Sequence, residues 1–307
     1  MATKIGIPRV LLYYKFFSFW KVFFEELRLE VVPSDETNRE ILKDSVNISV
    51  DEVCVPVKLI YGHTLNLRDK VDFLFIPRVI STEKRFTNCP KLLGLPDMVK
   101  ESIDHLPTII DTTIDYNRES LYKSMFKLGL RFTKNPFKIN RAFEQAKRSS
   151  ENHKGMEKTK LLNNNQQEGI KIAVLGHPYN IYDRFINGDL LQRLKRLNIN
   201  VVTMDMVSKK ILNRSIDSIS RWIYWNYERE IYNSFYYFIK KVDGVINVIS
   251  FSCGPDSLVG ELLLRDAKRY EFPFLQLVID EHTSETGIVT RLEAFVDMIK
   301  RKHKQRK

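Results

Sequence analysis

The sequence predicts an α/β protein with two parallel-sheet domains in tandem and a helical insertion between them. Short runs of β-branched and aromatic residues alternate with amphipathic helical patterns over residues 1–115, and this alternation starts again at residue 170. Such alternation is typical of parallel sheets. Residues 116–169 are helical in pattern, basic and free of strand signals. We therefore expect α/β domains at 1–115 and 170–307, joined by a helical segment and linker at 116–169.

Each domain has its own series of elements. In the first, strands are predicted at 4–10, 30–32, 71–76 and 107–110, and helices at 14–29, 38–44, about 56–67 and 91–103. A polar linker at 161–169 precedes the second domain. There, strands are predicted at 171–175, 200–203, 245–249 and 272–279. Four helices are predicted: one at 181–197, one at 221–241, one that starts at residue 256, and a final one that ends at about residue 300. Each domain is thus expected to hold roughly four parallel strands.

Cys253 lies at the junction around which the second domain is organised. The run 245–249 is typical of a buried strand, residues 252–255 interrupt it, and a helical pattern starts at Asp256. Open α/β sheets bind ligands at the carboxyl ends of their strands. The partial positive charge of a helix N-terminus lowers the pKa of a nearby thiol. We therefore expect a thiolate that serves as a nucleophile, a redox group or a metal ligand.

The three cysteines, Cys54, Cys89 and Cys253, share one local context. Each stands at the start of a predicted helix and is followed within two positions by a proline. They are too far apart in sequence for a C-x-x-C motif, and their odd number argues against a disulfide framework. At a domain interface they could hold a cubane iron–sulfur cluster or a zinc ion, each with one open position. The alternative is three unconnected thiols.

Composition and charge narrow the function classes. Of 307 residues, 43% are hydrophobic, which suits a soluble globular protein. No apolar run reaches the length of a membrane span, and the N-terminal stretch lacks a signal-peptide cleavage site, so we expect a cytoplasmic protein. The net charge of +11 is concentrated at 118–160 and 300–307. These segments are interpreted as a solvated helix face and a frayed tail, because the sequence lacks zinc-finger spacing and RNP-like aromatic boxes, which argues against nucleic-acid binding.

Further candidate residues follow the last predicted strand. Glu281 and His282 could move protons or orient a ligand at the sheet edge that also carries Cys253. Alternatively, this stretch only caps the final helix, with Thr283 or Ser284 as the N-cap. His177 is interpreted as a turn histidine. The sequence contains neither a G-x-G-x-x-G nor a P-loop motif, so a partner would have to supply any use of ATP.

Several long segments carry a family resemblance: IGIPRVLLYY (5–14), FFEELRLEVV (23–32), DEVCVPVKLIYGH (51–63), VDFLFIPR (71–78), NCPKLLGLPDMV (88–99), GHPYNIYD (176–183), SFSCGPDSLVGELL (250–263) and DEHTSETGIVTRLEAFVDMI (280–299). In this order, they resemble the 2-hydroxyacyl-CoA dehydratase superfamily, and in particular its branch of activase-related proteins of unassigned function.

The resemblance implies a [4Fe-4S] cluster on Cys54, Cys89 and Cys253, held between two flavodoxin-like domains. It also implies a partner, an ATP-dependent activator that injects one low-potential electron into the cluster. Proteins of this superfamily use such an electron to dehydrate a 2-hydroxyacyl-CoA or to reduce a small molecule. We therefore expect an oxygen-labile iron–sulfur protein of an anaerobe. If it is an enzyme, it is a dehydratase-like lyase or a reductase acting on an acyl-CoA or small-molecule substrate, as a homo- or hetero-oligomer.

Two alternatives differ in class. The protein could be a non-catalytic electron relay or an assembly partner of an activator ATPase. A substrate pocket at the open iron position would distinguish the enzyme from the relay. The protein could instead be a basic binding module with unconnected cysteines, which would bind without metal and lose affinity steeply with salt.

Overall fold

The computed structural model describes residues 2–166, 168–214, 223–283 and 285–305. The chain divides into two compact units, each with its own four-stranded parallel sheet. The first unit comprises the described residues up to His153 together with Tyr224–Asn226, and the second comprises the remainder. The predicted fold class, an α/β protein with two parallel-sheet halves in tandem, is confirmed.

The first unit contains a four-stranded sheet and a separate small strand pair. The strands of this unit are β1 Lys4–Ile7, β2 Glu30–Pro33, β3 Phe73–Phe75, β4 Arg78–Ser81, β5 Thr108–Ile110 and β6 Thr113–Asp115. The main sheet has the order β2-β1-β3-β5, and β4 pairs with β6 separately. The pair was not predicted. Pro77, which cannot donate a ladder hydrogen bond, separates β3 from β4.

Helices cover this sheet and supply most of its aromatic core. They are α1 Tyr13–Glu26, α2 Arg39–Ile48, α3 Val55–Leu67, α4 Pro90–Ser102, α5 Leu121–Gly129 and α6 Pro136–Gln166. The rings of Trp20 and Phe24 on α1 meet Phe75 of β3 edge to face, with centroids 5.1 and 5.0 Å apart. The aromatic row near the N-terminus therefore belongs to the core, as such rows usually do.

The helical insertion differs from its prediction at its carboxyl end. The polar linker expected at 161–169 is wrong for residues up to Gln166, because α6 continues through them. Residues 161–166 contain no proline or glycine, and extending an existing helix is far easier than starting one. The beginning of α6 belongs to the first unit, where Lys138 Nζ donates to the Leu27 carbonyl at 3.1 Å.

The second unit repeats the topology of the first. Its strands are β7 Lys171–Gly176, β8 Asn200–Thr203, β9 Gly244–Ser250 and β10 Phe274–Ile279. Their order is β10-β9-β7-β8, all parallel. Counted along the chain, both main sheets have the order 2-1-3-4. This is the flavodoxin-like doubly wound pattern, whose switch point lies between the first and third strands. In the second unit, these strands are β7 and β9.

The helices of this unit begin and end at different residues from those expected. They are α7 Pro178–Tyr182, α8 Leu190–Arg196, α9 Lys209–Arg214, α10 Asn226–Phe238, α11 Gly254–Arg269 and α12 Glu285–Gln305, with a 3₁₀ turn at Met204–Met206. The single helix predicted at 181–197 is wrong, because Gly188 and Asp189 adopt left-handed backbone angles that divide it into α7 and α8. The helix predicted at 221–241 begins only at Asn226; residues 221 and 222 lie outside the described residues.

The described helices also bear on membrane insertion. Within the described ranges, no helix combines the length and the apolar character that crossing a bilayer requires.

Candidate metal centre

The switch point of the second sheet brings His177 and Cys253 together. His177 directly follows β7, and Cys253 follows β9 after a short turn. These strands are hydrogen-bonded neighbours, with Gly176 opposite Val248. The carboxyl ends of two adjacent parallel strands therefore present an imidazole and a thiol at the edge where open α/β sheets bind ligands.

Both residues are N-cap residues of helices that carry proline in the first turn. Cys253 precedes α11, which carries Pro255 in its first turn, and His177 precedes the short helix α7, which begins at Pro178. Proline fits the first turn because it lacks an N–H and has a helical φ angle. Ser252 adopts a φ of 60°, which turns the chain sharply between β9 and α11.

A buried amide network holds the two strand ends. Asn180 is fully buried; its Nδ2 donates to the Val248 carbonyl at 3.4 Å, and its Oδ1 accepts from Ser250 Oγ at 2.8 Å. Asn187 Nδ2 in turn donates to the Asn180 carbonyl at 3.0 Å. The loop that carries His177 is therefore tied to the strand that leads to Cys253.

Two carboxylates complete a compact group of potential ligands. Glu228 on α10 and Asp256 in the first turn of α11 join His177 and Cys253. One ligand atom from each of the four residues lies within 4.8 Å of the other three. All four side chains are buried, with exposures of 2% for Asp256, 3% for Glu228, 4% for His177 and 8% for Cys253.

The polar atoms of this group are close but poorly hydrogen-bonded. His177 Nε2 lies 2.9 Å from Asp256 Oδ1 and 3.4 Å from Glu228 Oε1. Within the described residues, however, neither ring nitrogen of His177 and neither carboxylate oxygen of Asp256 forms a hydrogen bond of normal geometry. Buried polar atoms without hydrogen bonds are uncommon and call for an explanation such as a bound ion.

Charge interactions control the protonation of the group. Burial lowers the pKa of His177, but the neighbouring Asp256 carboxylate, with Cys253 and Glu228, outweighs it and holds the pKa well above its ordinary value. Burial raises the pKa of the Cys253 thiol, and the His177 imidazole opposes that rise without cancelling it. For the Cys253 thiol, desolvation therefore outweighs the stabilisation of a thiolate expected from the helix N-terminus.

Two tyrosine rings enclose the imidazole. Tyr179 stacks on the His177 ring with the centroids 4.7 Å apart, and Tyr227 approaches it at 4.9 Å. Both tyrosines are less than a tenth exposed. The surroundings are therefore of low polarity, and interactions between charges are strong there.

Cys54 and Cys89 lie in the first unit, where they repeat the local structure of Cys253. Cys54 is the N-cap residue of α3 and Cys89 that of α4, and both helices carry proline in the first turn. Cys54 is buried, Cys89 is half-buried, and no cysteine of the chain, all of which are described, forms a disulfide. Beside Cys89, Asn226 Nδ2 donates to Asn88 Oδ1 at 3.0 Å.

Two basic residues of the first unit, Lys58 and Arg78, differ in their surroundings. Lys58, one turn after Cys54, is only 1% exposed. Arg78 forms a bidentate pair with Asp97, with distances of 2.7 and 2.8 Å, and lies 3.9 Å from Asp111. Arg78 is therefore paired with carboxylates of the first unit.

Glu281 and His282 lie in the turn after β10. His282 is exposed and Glu281 half-buried. Asp280 organises the turn: its Oδ1 accepts from the His282 amide at 2.9 Å and from Thr283 Oγ1 at 2.7 Å. Ser284, one of the two expected N-cap residues, lies outside the described residues. A catalytic role for Glu281 and His282 stays a prediction.

Sequence reasoning missed the carboxylates of the group and undervalued its histidine. Asp256 offered a signal, since an acidic residue three positions after Cys253 lies in the same helical turn. Glu228 offered none, because it stands in an aromatic helix far from Cys253 in the sequence.

Comparison with known proteins identifies the family. No curated protein matches the chain. The family described as the CoA enzyme activase uncharacterised domain (DUF2229) matches residues 4–207, about two thirds of the sequence. The match includes Cys54, Cys89 and His177 and ends before Glu228 and Cys253. The chain belongs to the CoA enzyme activase uncharacterised domain family.

Proposed function

We propose that the protein binds one [4Fe-4S] cluster through Cys54, Cys89 and Cys253. In this proposal, it takes a low-potential electron from an ATP-dependent activator and uses it on a bound substrate of the acyl-CoA or small-molecule class. The observation that carries the proposal is the shared position of the three thiols. Each is the N-cap residue of a helix of 13 or 16 residues with proline in its first turn.

The donor set fits such a cluster. Thiolates are the usual protein ligands of iron–sulfur clusters, and three of them leave one iron position open. The unsatisfied amides and the dipole at a helix N-terminus stabilise negative charge on the sulfur atoms. The buried ammonium of Lys58, one turn after Cys54, would offset part of that charge.

The residues around Cys253 would support electron uptake. A bound [4Fe-4S] cluster supplies one-electron chemistry at low potential. The rings of Tyr179 and Tyr227 would keep water from the His177 side of Cys253. His177 is placed to hold a proton, since the Asp256 carboxylate lies 2.9 Å from its Nε2. The activase description of the family supports an activator as the partner.

The test is anaerobic purification with iron and acid-labile sulfide assays on four full-length proteins. We expect about four iron and four sulfide per chain in the wild type. Cys89→Ser and Cys253→Ser should lose most of the iron while keeping their circular dichroism spectra. Asn38→Ser is the matched control: it changes the N-cap residue of α2, which is not a proposed ligand, and should keep the iron.

Two results would contradict the proposal. One is a wild-type protein that stays free of iron after anaerobic reconstitution. The other is an iron content that Cys89→Ser leaves unchanged.

A further inference from the structure

We propose that the second unit holds a single divalent transition-metal ion, Zn²⁺ being the best match, on His177, Glu228, Cys253 and Asp256. This inference goes beyond the proposed function and does not rest on it. Only Cys253 is common to the two ligand sets, and Cys54 and Cys89 have no part in this one. The ion and the cluster therefore exclude each other, and the ion is proposed for the chain when it carries no cluster.

The spacing of the four groups suits one small cation. Zinc bonds of about 2.0–2.3 Å in a tetrahedral site place ligand atoms about 3.3–3.7 Å from one another. Here the four ligand atoms lie within 4.8 Å of one another, and His177 Nε2 lies 2.9 and 3.4 Å from carboxylate oxygens of Asp256 and Glu228. Small side-chain adjustments would bring the set to zinc geometry.

The geometry of the groups favours a metal site over a hydrogen-bonded cluster. A histidine 2.9 Å from a carboxylate normally forms a hydrogen bond. Within the described residues, His177 and Asp256 fail to do so, although both are buried. A bound ion would satisfy these buried atoms, which lie close together without a well-formed hydrogen bond.

The charges of the group also favour a cation. Two carboxylates and a thiol are buried together, and within the described residues both carboxylates have His177 as their ion-pair partner. One imidazole can balance only one of the two carboxylates, and burying uncompensated charge is costly. A divalent ion would neutralise two of the negative charges and would allow the thiol to ionise.

The chemical types of the four ligand groups favour zinc over magnesium and calcium. One thiolate, one imidazole and two carboxylates form a mixed set that zinc accepts in four-coordination. Magnesium and calcium prefer oxygen ligands throughout, and the thiol and imidazole therefore argue against them. The zinc site and the cluster compete for Cys253. A protein that lacks Cys54 and Cys89 cannot form the proposed cluster but keeps all four zinc ligands, so the zinc site can be tested in it alone.

The test uses the full-length Cys54→Ser/Cys89→Ser protein, stripped of metal and titrated with Co²⁺ as a spectroscopic probe for zinc. We expect one Co²⁺ per chain, visible d–d bands of a tetrahedral site and a near-ultraviolet band from sulfur-to-cobalt charge transfer, all displaced by Zn²⁺. Adding Cys253→Ser should abolish the charge-transfer band. Adding His177→Gln should weaken binding at least about tenfold. His303→Gln, a half-exposed histidine of the same unit with no proposed role, is the matched control and should bind as the parent does.

The results of the Co²⁺ titration can be interpreted independently of those of the iron assay. Failure of the parent variant to bind Co²⁺ stoichiometrically would overturn the inference, whatever iron the wild type carries. Unchanged affinity in His177→Gln and in Asp256→Asn, each with a native circular dichroism spectrum, would also overturn it. If His177→Gln does not fold, Asp256→Asn decides alone. An iron-free wild type would count against the cluster only.

Discussion

Gly176 is a residue of the second unit at which we expect an added side chain to be strongly destabilising. It ends β7 with a φ of +141°, a conformation that residues with a side chain rarely adopt. A Cβ atom added there would lie 2.5 Å from the Val248 carbonyl oxygen on β9, a distance at which the backbone must move. Gly176→Ala would therefore strain the dihedral angles and force apart the strands that carry His177 and Cys253.

The dihedral strain and the close contact together determine the expected loss of stability. A side chain in such a backbone region costs about 1–3 kcal/mol, and an overpacked contact costs about 1–3 kcal/mol more. We expect Gly176→Ala to lower the free energy of unfolding by about 2–6 kcal/mol, measured by urea denaturation and followed by circular dichroism.

Gly254 provides the matched control at the same site. It opens α11 beside Cys253, and a Cβ added to it meets nothing within 4 Å. Gly254→Ala should be neutral or stabilise the protein by up to about 1 kcal/mol, because it restricts the unfolded chain. A Gly176→Ala protein as stable as Gly254→Ala would refute the reasoning about the approach of β7 to β9.

Two further predictions concern other buried polar groups. Burial lowers the pKa of His63 to about 3. Below about pH 6.5 the His63 side chain takes up a proton in the unfolded chain but not in the native state. The free energy of unfolding should therefore fall by about 2 kcal/mol between pH 7 and pH 5. Urea titrations at the two pH values measure this loss, and a loss that persists in His63→Gln would exclude His63 as its cause. Asn180→Ala should lower the free energy of unfolding by about 1–3 kcal/mol, since it leaves Ser250 Oγ without its acceptor. Urea denaturation measures this loss as well. A smaller loss would mean that Ser250 finds another partner.

Local pattern predicted much of the fold. The alternation of β-branched runs with amphipathic stretches predicted eight strands that form the two parallel sheets, because strand and helix periodicities are properties of neighbouring residues. The prolines after Cys54, Cys89 and Cys253 marked the helix starts correctly, since proline favours a first turn wherever it stands. The failures have local causes as well. The strands β4 and β6 begin directly after β3 and β5, so no separate signal marks them. Asp189 breaks a helical pattern by adopting a left-handed angle.

The metal centre, in contrast, depends on contacts that no local pattern contains. The sequence by itself determined that Cys253 stands between a strand and a helix, because both signals lie within a few residues of it. Only the tertiary structure decided that His177 and Glu228 lie beside it. The parallel pairing of β7 with β9 juxtaposes strand ends that are distant in the chain, and the packing of α10 brings in a carboxylate. The four potential ligands come together because of the order of the strands and the packing of the helices. Both depend on many weak contacts throughout the unit.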